Sequence, residues 1–180
     1  MNAKIRIATA GDIPAITEIY NQAIAMQSAT ADMSPVSIKS RFAWLSEHAP
    51  DEYPVYVAES QDTGTDGVLG WCSLSPYRPG RGALRATAEI SYYVHEDHRR
   101  AGVGSGLIAY ALDQCPGLGI KTLFAILLDI NTDSTCILEK FGFEQWGHMP
   151  NVADFDGHEC GHLYYGRRVE RVERVERVEG

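Results

Sequence analysis

The stretch Arg99-Arg100-Ala101-Gly102-Val103-Gly104-Ser105-Gly106 constrains this chain more than any other. Before it runs Ala88-Glu89-Ile90-Ser91-Tyr92-Tyr93-Val94, rich in residues that favour strands. After it runs Leu107-Ile108-Ala109-Tyr110-Ala111-Leu112, rich in helix formers. A strand, a basic glycine turn and a helix, in that order, make an anion seat from main chain alone. Glycines let the backbone approach a ligand closely, and the free N–H groups of a helix start point at it. Arg99 and Arg100 add charge at the mouth, and the anion such a seat takes is a pyrophosphate.

Two familiar phosphate loops fail on spacing. A P-loop needs a lysine and a hydroxyl residue after its last glycine, and Gly104 is followed by Ser105-Gly106. A dinucleotide fingerprint needs G-x-G-x-x-G, and Leu107 stands where the third glycine belongs.

The rest of the chain reads as alternating elements. Ile5–Thr9 is an expected strand, and Thr9-Ala10-Gly11-Asp12-Ile13-Pro14 carries helix-start signals. Ile13, Ile16, Ile19, Tyr20 and Ile24 then mark one helix face. The polar segment 25–35 reads as a loop beside a pocket, with Ser28 to Thr30 as a wall. A second helix is expected over 37–48, with Ile38, Phe42 and Leu45 on one side. Strands over 53–59 and 67–75 form a hairpin, followed by an irregular loop holding Arg78, Arg81 and Arg85. Thr122–Leu128 is a nearly continuous apolar run, as a central buried strand requires. A short helix over 132–141 follows, then strands over 143–149 and 161–167 joined by an acidic stretch. This order predicts an α/β (α+β mixed) fold, with helices on both faces of a central mixed sheet. The Glu89 and Leu123 strands are expected to be parallel neighbours, because a helix connects them.

Composition narrows the partners. With 180 residues and 44% hydrophobic content the chain supports one domain, expected over 1–167. A net charge of -8 argues against nucleic acid. No apolar run approaches the roughly 18 residues of a membrane span, and the N-terminus lacks a secretory core, so a cytoplasmic location is expected. Cys72, Cys115, Cys136 and Cys160 are scattered and form no CxxC, which favours reduced thiols over a disulfide or zinc site. His158-x-Cys160-x-His162 has metal-ligand residue types without a second cluster, so no metal is expected. The tail 168–180 repeats Arg-Val-Glu four times and reads as a solvated segment outside the fold.

Arg99-Arg100-Ala101-Gly102-Val103-Gly104 resembles the R/Q-x-x-G-x-G/A signature of the GNAT superfamily, the Gcn5-related N-acetyltransferases. Its context strengthens the likeness: a strand ending Tyr93-Val94-His95, a helix, then Asn131, then Glu139-Lys140-Phe141-Gly142-Phe143. The resemblance spans about residues 4–168. Ile5-Arg6, Ala10-Gly11-Asp12, Ile19-Tyr20-Asn21, the run Gly70–Arg78 and Glu89 are similar to the phosphinothricin acetyltransferase-like branch. It implies the GNAT fold, a largely antiparallel sheet, acetyl-CoA as co-substrate, a small-molecule amine acceptor and a homodimer. The acceptor it implies is the α-amine of an amino acid or analogue, of phosphinothricin or methionine sulfoximine type. Another small amine, a protein N-terminus, or a non-catalytic acyl-CoA-binding role stays open.

The resemblance also implies roles. Arg99, Arg100, Ala101, Gly102, Val103, Gly104 and Ser105 hold the pyrophosphate. The main chain of Tyr92, Tyr93 and Val94 binds the pantetheine arm and supplies an oxyanion donor. Asn131 contacts the same arm, or else caps a helix. Glu89 is the general base, since an α-ammonium must lose a proton before it attacks; a salt bridge or an exposed face is the competing reading. Tyr77, Arg78 and Arg81 are candidates to bind the acceptor, the arginines by forking onto a carboxylate, or are simply solvated. One departure stands out. Leu138 occupies the position where many relatives carry a tyrosine or histidine near the sulfur, so the proton for the thiolate must come from water, the amine or a tyrosine elsewhere.

Overall fold

The computed structural model describes residues 3–61 and 67–169. Seven strands form one sheet in the order β1-β2-β3-β4-β5-β7-β6. They are β1 (Ala3–Ile7), β2 (Val55–Ser60), β3 (Val68–Pro76), β4 (Thr87–Val94), β5 (Thr122–Leu128), β6 (Glu144–Phe155) and β7 (His158–Arg168). All pairings are antiparallel except β4–β5, which is parallel as the intervening helix demands. The helices are α1 (Ile13–Ala25), α2 (Ile38–Ser46), α3 (Val103–Gln114) and α4 (Thr132–Lys140). None is long and apolar enough to cross a membrane.

Strand alternation sorts the core into two layers. Tyr56, Ala58, Leu69, Cys72, Leu74 and Ile90 turn toward Leu107, Ile108 and Ala111 of α3 and Leu138 of α4. Val55, Val57 and Trp71 turn the other way, toward Ile16, Ile19 and Tyr20 of α1 and Trp44 and Leu45 of α2. Each fully buried Leu or Ile contributes about 1.5–3 kcal/mol. A second kind of tie closes the β1–α1 corner. Arg6 donates both Nη groups to Asp12 at 2.8 Å and Nε to Glu59 at 3.1 Å, and these bonds hold the Asp12 carboxyl below the usual carboxylate range. Asp12 also receives the Thr9 N–H and hydroxyl, so the expected helix-start sequence works through a carboxylate that reads in both directions.

One interruption in the sheet positions everything functional. β4 and β5 pair only from Thr87–Thr122 to Glu89–Phe124. Beyond that point β4 stays on β3 up to Val94–Gly70, and β5 stays on β7 down to Leu128–His162. The two middle strands therefore part, and a wedge opens at Glu89. Gly70 allows β3 to follow β4 here: a Cβ on it would lie 2.8 Å from the Tyr93 carbonyl oxygen.

Four expectations are corrected. α3 starts at Val103, so the second half of the glycine turn is itself the first helical turn. The acidic stretch after residue 150 is no loop: β6 and β7 run on to a tight turn at Asp156-Gly157, both at positive φ, where the Asp154 carboxylate accepts the Gly157 N–H at 2.6 Å. Polar residues suit β6 because it is the sheet's outer edge. In α2, Ile38 and Phe42 face outward and Arg41 faces in, against the expected face, of which only Leu45 packs on the core. The sheet also continues one residue beyond 167, since Arg168 ends β7 and donates to Thr122 Oγ1 at 2.6 Å. The remainder of the repeat, 170–180, lies outside the described residues.

Candidate active site

A cavity of about 750 Å³ fills the wedge. Tyr92, Tyr93 and Val94 of β4 line one side, Asn131, Ser134 and Ile137 line the other, and Arg99, Arg100, Gly102, Val103, Gly104 and Ser105 close one end. Of the residues expected to hold the pyrophosphate arm, only Ala101 is missing from the lining. His98 and Lys140 add further basic groups that spacing did not single out. Ala23, Met26 and Ala29 complete the wall from α1 and the loop after it, close to where Ser28 to Thr30 was expected.

The glycine turn achieves its shape through two left-handed residues. Arg100 has φ 61° and Gly102 φ 86°, and Gly102 is the residue that precedes α3. The second suits glycine; the first is uncommon for arginine, and such strain collects at functional turns. The first intrahelical bond here is Gly106 N–H to the Gly102 carbonyl, at 2.9 Å. The N–H groups of Val103, Gly104 and Ser105 are thus unspent and face a cavity mouth bearing Arg99 and Arg100.

Strand pairing fixes which main-chain groups of β4 face the wedge. His95 N–H bonds Leu69 of β3 and Thr87 C=O accepts from Tyr77, so odd-numbered residues of β4 point to β3. Ala86 C=O accepts from Lys121 and Thr122, so even-numbered residues point to β5. With β5 gone, Ile90, Tyr92 and Val94 present N–H and C=O to the cavity. Tyr93 contributes its ring instead, and its main chain is turned toward β3.

Glu89 stands where the strands part. Its side chain shares a face with Ser75 and Ser91, and burial pushes its carboxyl above the usual range. It makes no ion pair and no side-chain hydrogen bond among the described residues, so neither a salt bridge nor an exposed face describes it. Tyr92 lies over α4 and donates its hydroxyl to the Ser134 carbonyl at 3.5 Å, one turn before the fully buried Leu138. Burial raises that phenol to about 12. Asn131 does cap α4, accepting from Ser134 N–H at 3.1 Å, and it lines the cavity as well.

The loop residues fall elsewhere. Tyr77 packs edge-on against Phe124 at 5.0 Å, Arg78 lies 5.5 Å over the Tyr77 ring, and Arg81 is exposed. They sit at the Glu89 end of the sheet and none of them lines the cavity. The residue that sequence reasoning missed is Arg41, whose side chain enters the α1–α2 face against Tyr20 and Trp44.

The shape suits an acyl-CoA: an anion-binding helix start at one end and a strand edge for an amide-bearing arm along the side, with Glu89 outside the lining, three residues back along β4 from Tyr92. Comparison with known proteins agrees. The acetyltransferase (GNAT) domain family matches residues 3–144. YwnH of Bacillus subtilis (strain 168) is 40% identical over 153 residues, covering 85% of this chain and 91% of that protein. An L-methionine sulfoximine/L-methionine sulfone acetyltransferase of Pseudomonas aeruginosa is 34% identical over 153 residues, 85% of this chain and 87% of that one. A phosphinothricin acetyltransferase from Sinorhizobium meliloti, solved with acetyl-CoA, superposes with a TM-score of 0.86 at 27% identity, covering 94% and 89%.

Proposed function

The chain belongs to the acetyltransferase (GNAT) domain family, and from that premise we propose that its acceptor is the α-amine of an amino acid or close analogue, of the methionine sulfoximine or phosphinothricin type. It is an N-acetyltransferase with acetyl-CoA as co-substrate. The observation that carries the acceptor reading is Glu89, a half-buried carboxylate with no side-chain partner among the described residues, where β4 and β5 part, on the sheet face that α1 and α2 cover.

Each group of the wedge has a share in the transfer. The N–H groups of Val103, Gly104 and Ser105, with Arg99 and Arg100, bind the pyrophosphate. Ile90, Tyr92 and Val94 pair with the arm through their free main-chain groups, and one of these N–H groups donates to the thioester oxygen as negative charge grows there. Asn131 orients the same arm. Glu89 accepts the proton of the attacking ammonium, directly or through one water. Leu138 has no proton to give. Tyr92, held protonated by burial, turns its single O–H from the long Ser134 contact toward the departing thiolate, and the amine being acylated supplies the proton. Tyr77, Arg78 and Arg81 form a basic rim at the Glu89 end that draws an anionic acceptor in.

A second copy of the chain is its partner. Trp146, Met149 and Val152 are exposed along the outer edge strand β6, which supports pairing through that hairpin. Free thiols at Cys72, Cys115, Cys136 and Cys160 support a cytoplasmic setting. The acetyltransferase domain expected over 1–167 takes in Arg168 and Val169 as well, since Arg168 ends β7 and the Val169 N–H bonds the Lys121 carbonyl.

A panel of amino acids and amino acid analogues, mixed with acetyl-CoA while thiol release is followed, tests the acceptor. Methionine sulfone, methionine sulfoximine or phosphinothricin is expected to give the highest kcat/KM. Turnover confined to peptides or to amines without a carboxylate would reject this reading.

A further inference from the structure

α2 buries the wrong residue for a packing helix. Its apolar residues Ile38 and Phe42 are about half exposed, at 47% and 46%, while Arg41 is 9% exposed. Trp44 and Leu45 still pack on the core, but a helix that turns a cation inward and leaves two of its large apolar residues outside has given up part of its packing. The Arg41 guanidinium carbon lies 3.9 Å from the Tyr20 ring centre, 4.9 Å from Trp44 and 6.0 Å from Trp71. These rings offset part of the cost of burying the charge. They do not neutralise it: Arg41 has no ion pair among the described residues, and its buried Nε has no hydrogen-bond acceptor.

A second donor is stranded beside it. Trp71 Nε1 is buried and also lacks an acceptor. Buried donors in native folds are nearly always satisfied, so two in one ring cluster, one of them cationic, mark a place built for an anion. The cluster adjoins the wedge. Trp71 pairs with Tyr93 across β3 and β4, their rings are 4.8 Å apart, and Tyr93 lines the cavity. Glu89 lies on the same face of β4, two alternate positions along through Ser91. Among the described residues the carboxylate bonded to this cluster is Asp32, which accepts the Tyr20 hydroxyl at 2.7 Å.

We infer that Arg41 and Trp71 Nε1 together receive the carboxylate of the acceptor. The inference rests on the amino acid reading above and deepens it. It separates two basic features: Arg78 and Arg81 are solvated and steer, whereas Arg41 is desolvated and binds. A forked guanidinium 6.0 Å from the Trp71 ring, with an indole N–H that has no acceptor, offers the kind of donors a carboxylate takes. Tyr20, Trp44 and Trp71 then serve as the apolar walls that make this contact strong.

The test compares L-methionine sulfone with 3-(methylsulfonyl)propylamine, the same amine without its carboxylate. Wild-type enzyme is expected to prefer the amino acid in kcat/KM. In Arg41→Met that preference falls about 10- to 100-fold, through acceptor KM, with KM for acetyl-CoA unchanged. Arg41→Lys, which keeps charge and loses the fork, recovers part of it, and keeps the test open if the methionine variant does not fold. Trp71→Phe, which keeps the ring and loses the N–H, costs a smaller part of the preference. Equal losses on both amines would make Arg41 a packing residue and overturn the proposal, as would an unchanged preference. A wild-type enzyme that turns over the propylamine as well as the amino acid overturns the acceptor reading itself, before any substitution is made.

Discussion

The two sides of the wedge are built on opposite principles. The side proposed to take acetyl-CoA is made of main chain: a left-handed glycine, three unspent helix N–H groups, and the freed edge of β4. Its binding groups are mostly peptide units common to every residue, shaped by the left-handed Gly102 and flanked by Arg99 and Arg100. The side proposed to take the acceptor is made of side chains: Glu89, Tyr93, Trp71, Tyr20 and Arg41, drawn from four separate elements. The shared half of the reaction is thus coded in backbone geometry, and the half that distinguishes substrates is coded in residues that can change one at a time.

That contrast can be broken at Glu89. Replacing it with glutamine is expected to lower kcat about 100- to 1000-fold at pH 7, with acetyl-CoA affinity unchanged. The wild-type acid limb of kcat/KM falls above the usual carboxylate range, because burial raises this carboxyl, and the variant loses that limb. Stability moves in the other direction. A carboxyl raised in the fold contributes stability below its ordinary pKa, near 4.5, and loses it as pH climbs through the folded value. Glu89→Gln is therefore expected to melt higher than wild type at neutral pH, by an increment that shrinks toward pH 4.

Gly102→Glu sharpens the donor side. Gly102 has φ 86° with open space around it, so the substitution strains the turn and sets a negative charge at the anion seat. KM for acetyl-CoA is expected to rise about 30-fold, with acceptor discrimination unchanged. Acetyl-CoA binding that survives this change would place the pyrophosphate elsewhere. The smallest effect belongs to the rim. Arg78→Ala and Arg81→Ala are each expected to raise acceptor KM about two- to threefold, an effect that disappears in high salt, since exposed cations are screened. A larger, salt-resistant loss there would move the carboxylate contact from Arg41 to the loop.

How much of this the sequence discloses follows the same division. The turn and Glu89 are legible because their signals are local: consecutive glycines and arginines, and one carboxylate in a strand of apolar and aromatic residues. Thr122–Leu128 is legible because a strand buried on both faces has a continuous apolar run. Arg41 is not legible, because its meaning depends on which way α2 rolls, and the apolar pattern of Ile38, Phe42 and Leu45 argues for the other face. The wedge is hidden for a different reason. Nothing in β4 or β5 announces where two strands stop pairing, since the register of one is set by β3 and of the other by β7. The extension of β6 and β7 past residue 150 is masked by acidic residues that an edge strand accepts and a central strand would not.

The parting of β4 from β5 puts an edge inside the sheet. Amides of Ile90, Tyr92 and Val94 belong to a middle strand, yet they have no strand partner on that side, while Ser91 and Tyr93 are bonded to β3. Hydrogen exchange in the free enzyme should therefore alternate residue by residue along β4, fast at even numbers and slow at odd ones. Acetyl-CoA abolishes that alternation by becoming the missing strand. The free enzyme is in this sense a sheet with one strand left out, and it completes its own fold each time it binds its donor.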